Sequence, residues 1–197
     1  MKIYCRILEN LEISEGFDII RRYFVMNGFD GALTALGIIF GSFLVAVHEP
    51  ISLIMTGMGA SIAMGISGFW IAYLTETAER ERDLQELEDQ MIKDLRGTEV
   101  AEAHFLTSLI ISLVDGLSPF LFSLISIIPF FLVLLGFFGM NTGYLIAFVL
   151  IVIEVLVLGF FLGAVSNQNK IMYALKTLTA LIAVVILTFL LGVVEGL

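Results

Sequence analysis

Five stretches of the chain stay apolar for the roughly 20 residues that a helix needs to cross about 30 Å of hydrocarbon, and they predict five membrane spans. The first runs from about Phe24 to Val47 and the second from about Ile51 to Leu74. The corner between them, His48-Glu49-Pro50, is so short that the second span must return as a hairpin. From Thr75 to His104 the chain reads TETAERERDLQELEDQMIKDLRGTEVAEAH, with leucines and methionines at amphipathic-helix spacing and Gly97 as a break. Apolar residues resume at Phe105 and continue to Met140, a run of about 54 Å as one straight helix. Asp115, Gly116 and Pro119 interrupt that run. The pattern therefore predicts a surface helix from Glu99 to about Val114 and a third span from about Gly116 to Phe138. Asn141-Thr142-Gly143 predicts a tight turn into a fourth span, about Tyr144 to Val165. Asn167-Gln168-Asn169-Lys170 predicts a turn into a fifth, about Leu175 to Val194.

The expected fold is an all-α integral membrane protein of five transmembrane helices, with a short cytosolic helical insert between spans two and three. Its parts are an N-terminal segment at 1–23, a transmembrane hairpin at 24–74, the acidic insert at 75–114 and spans three to five at 115–197. Composition agrees: 59% of the 197 residues are hydrophobic and 15% charged, where soluble domains carry about 25% charged residues. The first residues carry charges of both signs and no apolar core of signal-peptide length, so the first span directs insertion. Cys5, the lone cysteine, forms no internal disulfide, and its place before the first span points to a reduced cytosolic face.

All ten Lys and Arg residues fall before span one, between spans two and three, or around the start of span five. The positive-inside rule then puts the N-terminus and the insert in the cytosol and the C-terminus outside a cell membrane. The net charge of −9 is concentrated in the insert, which argues against nucleic acid and for cations as partners.

A carboxylate inside the bilayer is expensive and marks a site to be explained. Asp30 lies about two turns into span one, Asp115 at the start of span three, and Glu154 near the middle of span four. Asp30 also suits a helix cap beside Asn27 and Gly28, and Asp115 an N-cap before Gly116 and Pro119. Glu154 suits a protonated or hydrogen-bonded carboxyl as well as a proton or ion relay, the role that Asp115 could share. The Asp-Gly pairs DGALTALG and DGLSPFLF hint at a parallel repeat of two hairpins. In span two, GMGASIAMGISGFW offers small residues for close helix packing, interleaved with Met55, Met58 and Met64. A thioether is a soft ligand suited to a transition metal, though methionine in an apolar helix also serves as filler.

In the insert, Glu76, Glu79, Asp83 and Glu86 follow i, i+3, i+7 and i+10 and line one helix face. That face is either solvated, with Arg80, Arg82 and Lys93 as partners, or a cation-binding stripe that Glu99, Glu102 and His104 could close.

With these residues in hand, the chain resembles the vacuolar iron transporter family. The resemblance rests on the Asp-Gly pair early in span one, the small-residue span two with MGISG running into a Glu-rich helix, IIPFF late in span three, and the five-span layout with an acidic insert. It implies export of Fe²⁺ or Mn²⁺ from the cytosol in exchange for protons, by a homodimer. Asp30 would be the transport carboxylate of span one, Met64 the methionine ligand of span two, and Glu79, Glu86 and Glu102 the metal-binding glutamates of the insert. Thr56 stands where many members carry a further glutamate, and the insert is short. No cofactor is implied; the metal is cargo.

The other readings are a membrane-anchored metal-sensing or scaffold protein without transport, and a lipid-modifying enzyme. The enzyme is disfavoured, because a CDP-alcohol phosphatidyltransferase needs several aspartates and an arginine around its Asp-Gly pair. No Ser/His pair or HExxH is present either, and His48 and His104 lie in different loops.

Overall fold

The computed structural model describes residues 16–91, 95 and 98–194. Cys5, Lys93, Arg96 and Gly97 lie outside them. Among the described residues there are five helices and no strand: α1 Gly16–Leu44, α2 Pro50–Met91, α3 Glu99–Leu134, α4 Met140–Val165 and α5 Lys170–Val194. All five are long and apolar enough to cross a membrane, so this is an all-α, multi-pass membrane protein.

Three boundaries differ from those the hydropathy pattern suggests, each for a physical reason. α1 begins at Gly16 rather than near Phe24, because Ile19, Ile20, Tyr23 and Phe24 carry the apolar spacing back, and Asp18 pairs with Arg21 in the opening turn. α2 does not end at Leu74. Its 42 residues run without proline after Pro50, and the stretch from Thr75 to Met91 is dominated by Glu, Arg, Leu and Gln, all good helix formers.

α3 is not broken at Asp115. It is one helix of 36 residues with Pro119 and Pro129 inside it. A helix end in hydrocarbon would leave several backbone groups unpaired, so membrane helices carry proline internally instead. Asp115 is therefore not an N-cap, and no separate surface helix precedes a third span. The following turn also lies earlier than expected, at residues 135–139 with Gly136 at φ +82°, and Asn141-Thr142-Gly143 belongs to the first turn of α4.

Two turns fall where the sequence places them. Pro50 opens α2 after His48 and Glu49, in the helix position where a missing N–H is harmless. Asn169 opens α5, its Oδ1 accepting from the backbone N–H groups of Ile171 at 3.1 Å and Met172 at 3.2 Å.

The helices divide into two compact units. One comprises Val25–Met64 with residues 118–194, the other Gly65–Leu117 with residues 16–24. The first has a core of Ala32, Ala35, Leu36 and Ile39 from α1, Leu53 and Ile54 from α2, Ile127 and Phe130 from α3, and Tyr144, Ala147, Ile151 and Val155 from α4. Tyr144 stacks edge-on with Phe43 and Phe130 and donates its hydroxyl to the Val47 carbonyl at 3.0 Å, pinning the loop after α1. α5 packs on α4, and its Leu178, Leu181, Val184 and Val185 are partly buried against the core; Ala174 is its one buried residue. Thr177 donates to the Val155 carbonyl at 3.2 Å.

Candidate functional site

In the unit of Val25–Met64 and 118–194, the inward stripe of α1 is Gly28, Gly31, Ala32, Ala35, Leu36 and Ile39, at the three- and four-residue spacing of one helix face. Asp30 lies off that stripe. It is exposed and, among the described residues, takes part in no hydrogen bond or ion pair. Its neighbour Gly31 is buried, and a Cβ there would come within 2.7 Å of the Pro119 Cα. A Cβ at Gly28 would meet the Phe122 ring at 2.8 Å. The room beside Asp30 thus holds packed helix, and the carboxylate itself faces outward. Met64 is half-buried on α2, and Thr56, in the glutamate position of the resemblance, is exposed.

The same unit contains a buried polar cluster built by three helices. Ser61 of α2 donates to the Gly57 carbonyl at 2.7 Å or shares its proton with Ser123 of α3, Oγ to Oγ also 2.7 Å. One turn along α3, Ser126 donates to the Glu154 carboxylate on α4 at 2.9 Å. Glu154 is 6% exposed, and its other oxygen, Oε1, has no hydrogen-bond partner among the described residues. The three serines are functional candidates that the motif reading passes over. Their signal is legible afterwards in the spacing of Ser108, Ser112, Asp115, Ser123 and Ser126, which keeps small polar residues on one face of α3.

In the unit of Gly65–Leu117 and 16–24, Asp115 is buried at 7% exposure. A Cβ at Gly68 would lie 3.0 Å from its Oδ2, and one at Gly116 2.8 Å from the Phe69 Cβ, with the Gly65 carbonyl also in the way. The GISG stretch of α2 is thus a packing seam for Asp115-Gly116. Ser112 donates to the Ser108 carbonyl at 2.5 Å and Ser108 to that of His104 at 3.0 Å, so the polar face of α3 bonds its own backbone.

The acidic end of α2 is not one uniform stripe. Glu76 is buried, ion-paired with Arg80 at 3.7 Å and hydrogen-bonded by Tyr23. Glu79 and Glu86 are exposed, and Glu86 pairs with Arg82 at 3.6 Å. The four acids lie within about 80° of one another around the helix, and Glu76, at one edge of that arc, belongs to the stripe that α2 buries through Ala72, Glu76 and Arg80. Glu102 is exposed, while His104 turns its Nδ1 to the Arg80 carbonyl at 3.4 Å. Beside it lies a cavity of about 160 Å³ with Thr77, Arg80 and Glu81 in its wall. A guanidinium in the wall disfavours a divalent cation there. Among the described residues, no three His, Cys, Asp or Glu side chains converge as a metal site.

The sequence is 31% identical over 172 residues to the uncharacterized protein MJ0645 of Methanocaldococcus jannaschii, an alignment that covers 86% of each chain. No protein-family model matches the chain.

Proposed function

The chain belongs to one family with MJ0645. From its own residues we propose that it exports Fe²⁺ or Mn²⁺ from the cytosol in exchange for protons. One observation carries the reading: Asp30 is an exposed carboxylate without hydrogen bond or ion pair among the described residues, on an apolar helix that is long enough to span a membrane. Facing lipid, such a group is heavily disfavoured, so its position calls for an ion, a proton or a second protein surface. Two copies of the chain, each bringing Asp30 and Met64 to a shared axis, would supply oxygen and thioether donors to one transition metal. The resemblance to vacuolar iron transporters rests on its motifs alone, since no family model supports it.

In this mechanism the N-terminus and the acidic end of α2 lie in the cytosol, where the exposed Glu79, Glu86 and Glu102 collect metal. Asp30 and Met64 bind it within the membrane, and protonation of Asp30 from outside releases it. A carboxylate that holds either a proton or the metal couples the two fluxes. The exposed glutamates equally suit a membrane-anchored metal sensor that binds without moving its ligand.

Uptake by proteoliposomes of Fe²⁺, Mn²⁺, Zn²⁺ and Ca²⁺, with a proton-sensitive dye inside, separates the two. Transport predicts metal-driven proton flux that Asp30→Asn removes. Binding without flux would leave the sensor, and unchanged flux in Asp30→Asn would end the mechanism.

A further inference from the structure

Among the described residues, Glu154 is the most deeply buried carboxylate of its unit, and the function proposed above does not use it. Its carboxyl is fixed at one oxygen by Ser126 at 2.9 Å, while Oε1 is buried without a partner among those residues. A carboxylate so placed, in an apolar core formed by Ile151, Val155 and their neighbours, is unstable as an anion unless a cation balances it. Among the described residues no cation is paired with it. Of the unit's other described titratable groups, Asp30 on α1 is exposed, and His48 and Glu49 are exposed in the loop before α2. Tyr144 on α4 is bonded to the Val47 carbonyl. On α5, Lys170 lies over the Phe160 ring and Lys176 over that of Tyr173. The residues of α2 and α3 in this unit are uncharged.

We propose that Glu154, held by Ser126, is a proton-binding site inside the membrane-spanning helices. The proton sits on Oε1 and makes the carboxyl neutral, while Oε2 accepts from the Ser126 hydroxyl. Release returns the proton and leaves one negative charge on the carboxylate. A metal cation is not the ligand, because calcium or magnesium takes six or more oxygens and only the carboxyl and one hydroxyl meet here. Ser61 and Ser123, whose hydroxyls share one hydrogen bond a turn away on α3, supply groups that both donate and accept, as a proton entering or leaving requires.

The site rests on the helices spanning a membrane and not on metal transport. Failed metal uptake would leave it standing, and its own failure would leave uptake untouched.

Infrared spectra of the full-length protein in lipid nanodiscs, recorded in H₂O and D₂O from alkaline to acidic buffer, test it. The expected result is a carboxylic-acid C=O band present at neutral pH and absent from Glu154→Gln. Ser126→Ala keeps the acid and removes the donated bond, so the band should move to higher frequency; this variant decides the matter even where Glu154→Gln does not fold. A band unchanged in Ser126→Ala, or one retained in folded Glu154→Gln, overturns the proposal. So does a band that Na⁺ abolishes at fixed pH, which would assign the site to an alkali cation.

Discussion

Asp30 stands exposed on α1 with no hydrogen bond or ion pair among the described residues, whereas Glu154, on α4 of the same unit, is 6% exposed and takes the Ser126 hydroxyl at 2.9 Å. Both are carboxylates on helices apolar enough for a membrane, so the sequence environment alone makes them look alike. Their surroundings give them different chemistry. A buried acid can settle its charge by holding a proton, with one hydroxyl to steady it. An exposed acid keeps its charge available and depends on what arrives from outside the chain.

The largest effect that would break this comparison is at Asp30 itself. Asp30→Asn should reduce metal-driven proton flux in proteoliposomes to the level of empty vesicles while leaving thermal unfolding unchanged, because the side chain is exposed and, among the described residues, makes no hydrogen bond or ion pair.

Next comes the glycine beside it, which separates the outward acid from the inward seam. Gly31→Ala would drive a methyl group into the Pro119 backbone, and overpacking of that kind costs about 1–3 kcal/mol. Gly37→Ala on the same helix meets nothing within 4 Å and should be neutral or mildly stabilising, so thermal melts of the pair read the packing directly.

A smaller effect is expected at Glu154's partner. Ser126→Ala removes one hydrogen bond between helices, worth about 0.6 kcal/mol in membrane proteins, and should lower the melting temperature only slightly. The smallest stability effect belongs to the exposed acids. Glu79→Gln with Glu86→Gln breaks only the Arg82 ion pair, of a kind worth about 0–1 kcal/mol, yet it should raise the metal concentration for half-maximal uptake. Equal uptake curves would remove the acidic end of α2 from the pathway.

The existence of five apolar helices was legible from hydropathy, since nothing but length and composition is needed to see them. Their ends were less so. Asp115, Gly116 and Pro119 read as a stop in water but not in hydrocarbon, where ending a helix costs more than carrying a proline through it. The small residues of α2 showed that something packs closely there, and Gly65 and Gly68 do receive Asp115-Gly116. Burial of individual acids was beyond reach. Glu76 and Glu79 are three residues apart in an acidic run, yet one lies against Tyr23 and Arg80 and the other in the open. That choice is made by neighbours distant in the chain, as is the pairing of Ser126 with Glu154 across 28 positions. The serines themselves were visible, but their partners were not.

The length of α2 has a consequence for where its ends can lie. Its 42 unbroken residues rise about 63 Å, roughly twice the hydrocarbon thickness. About half of the helix is all that hydrocarbon can cover, so its last charged turns are left to water.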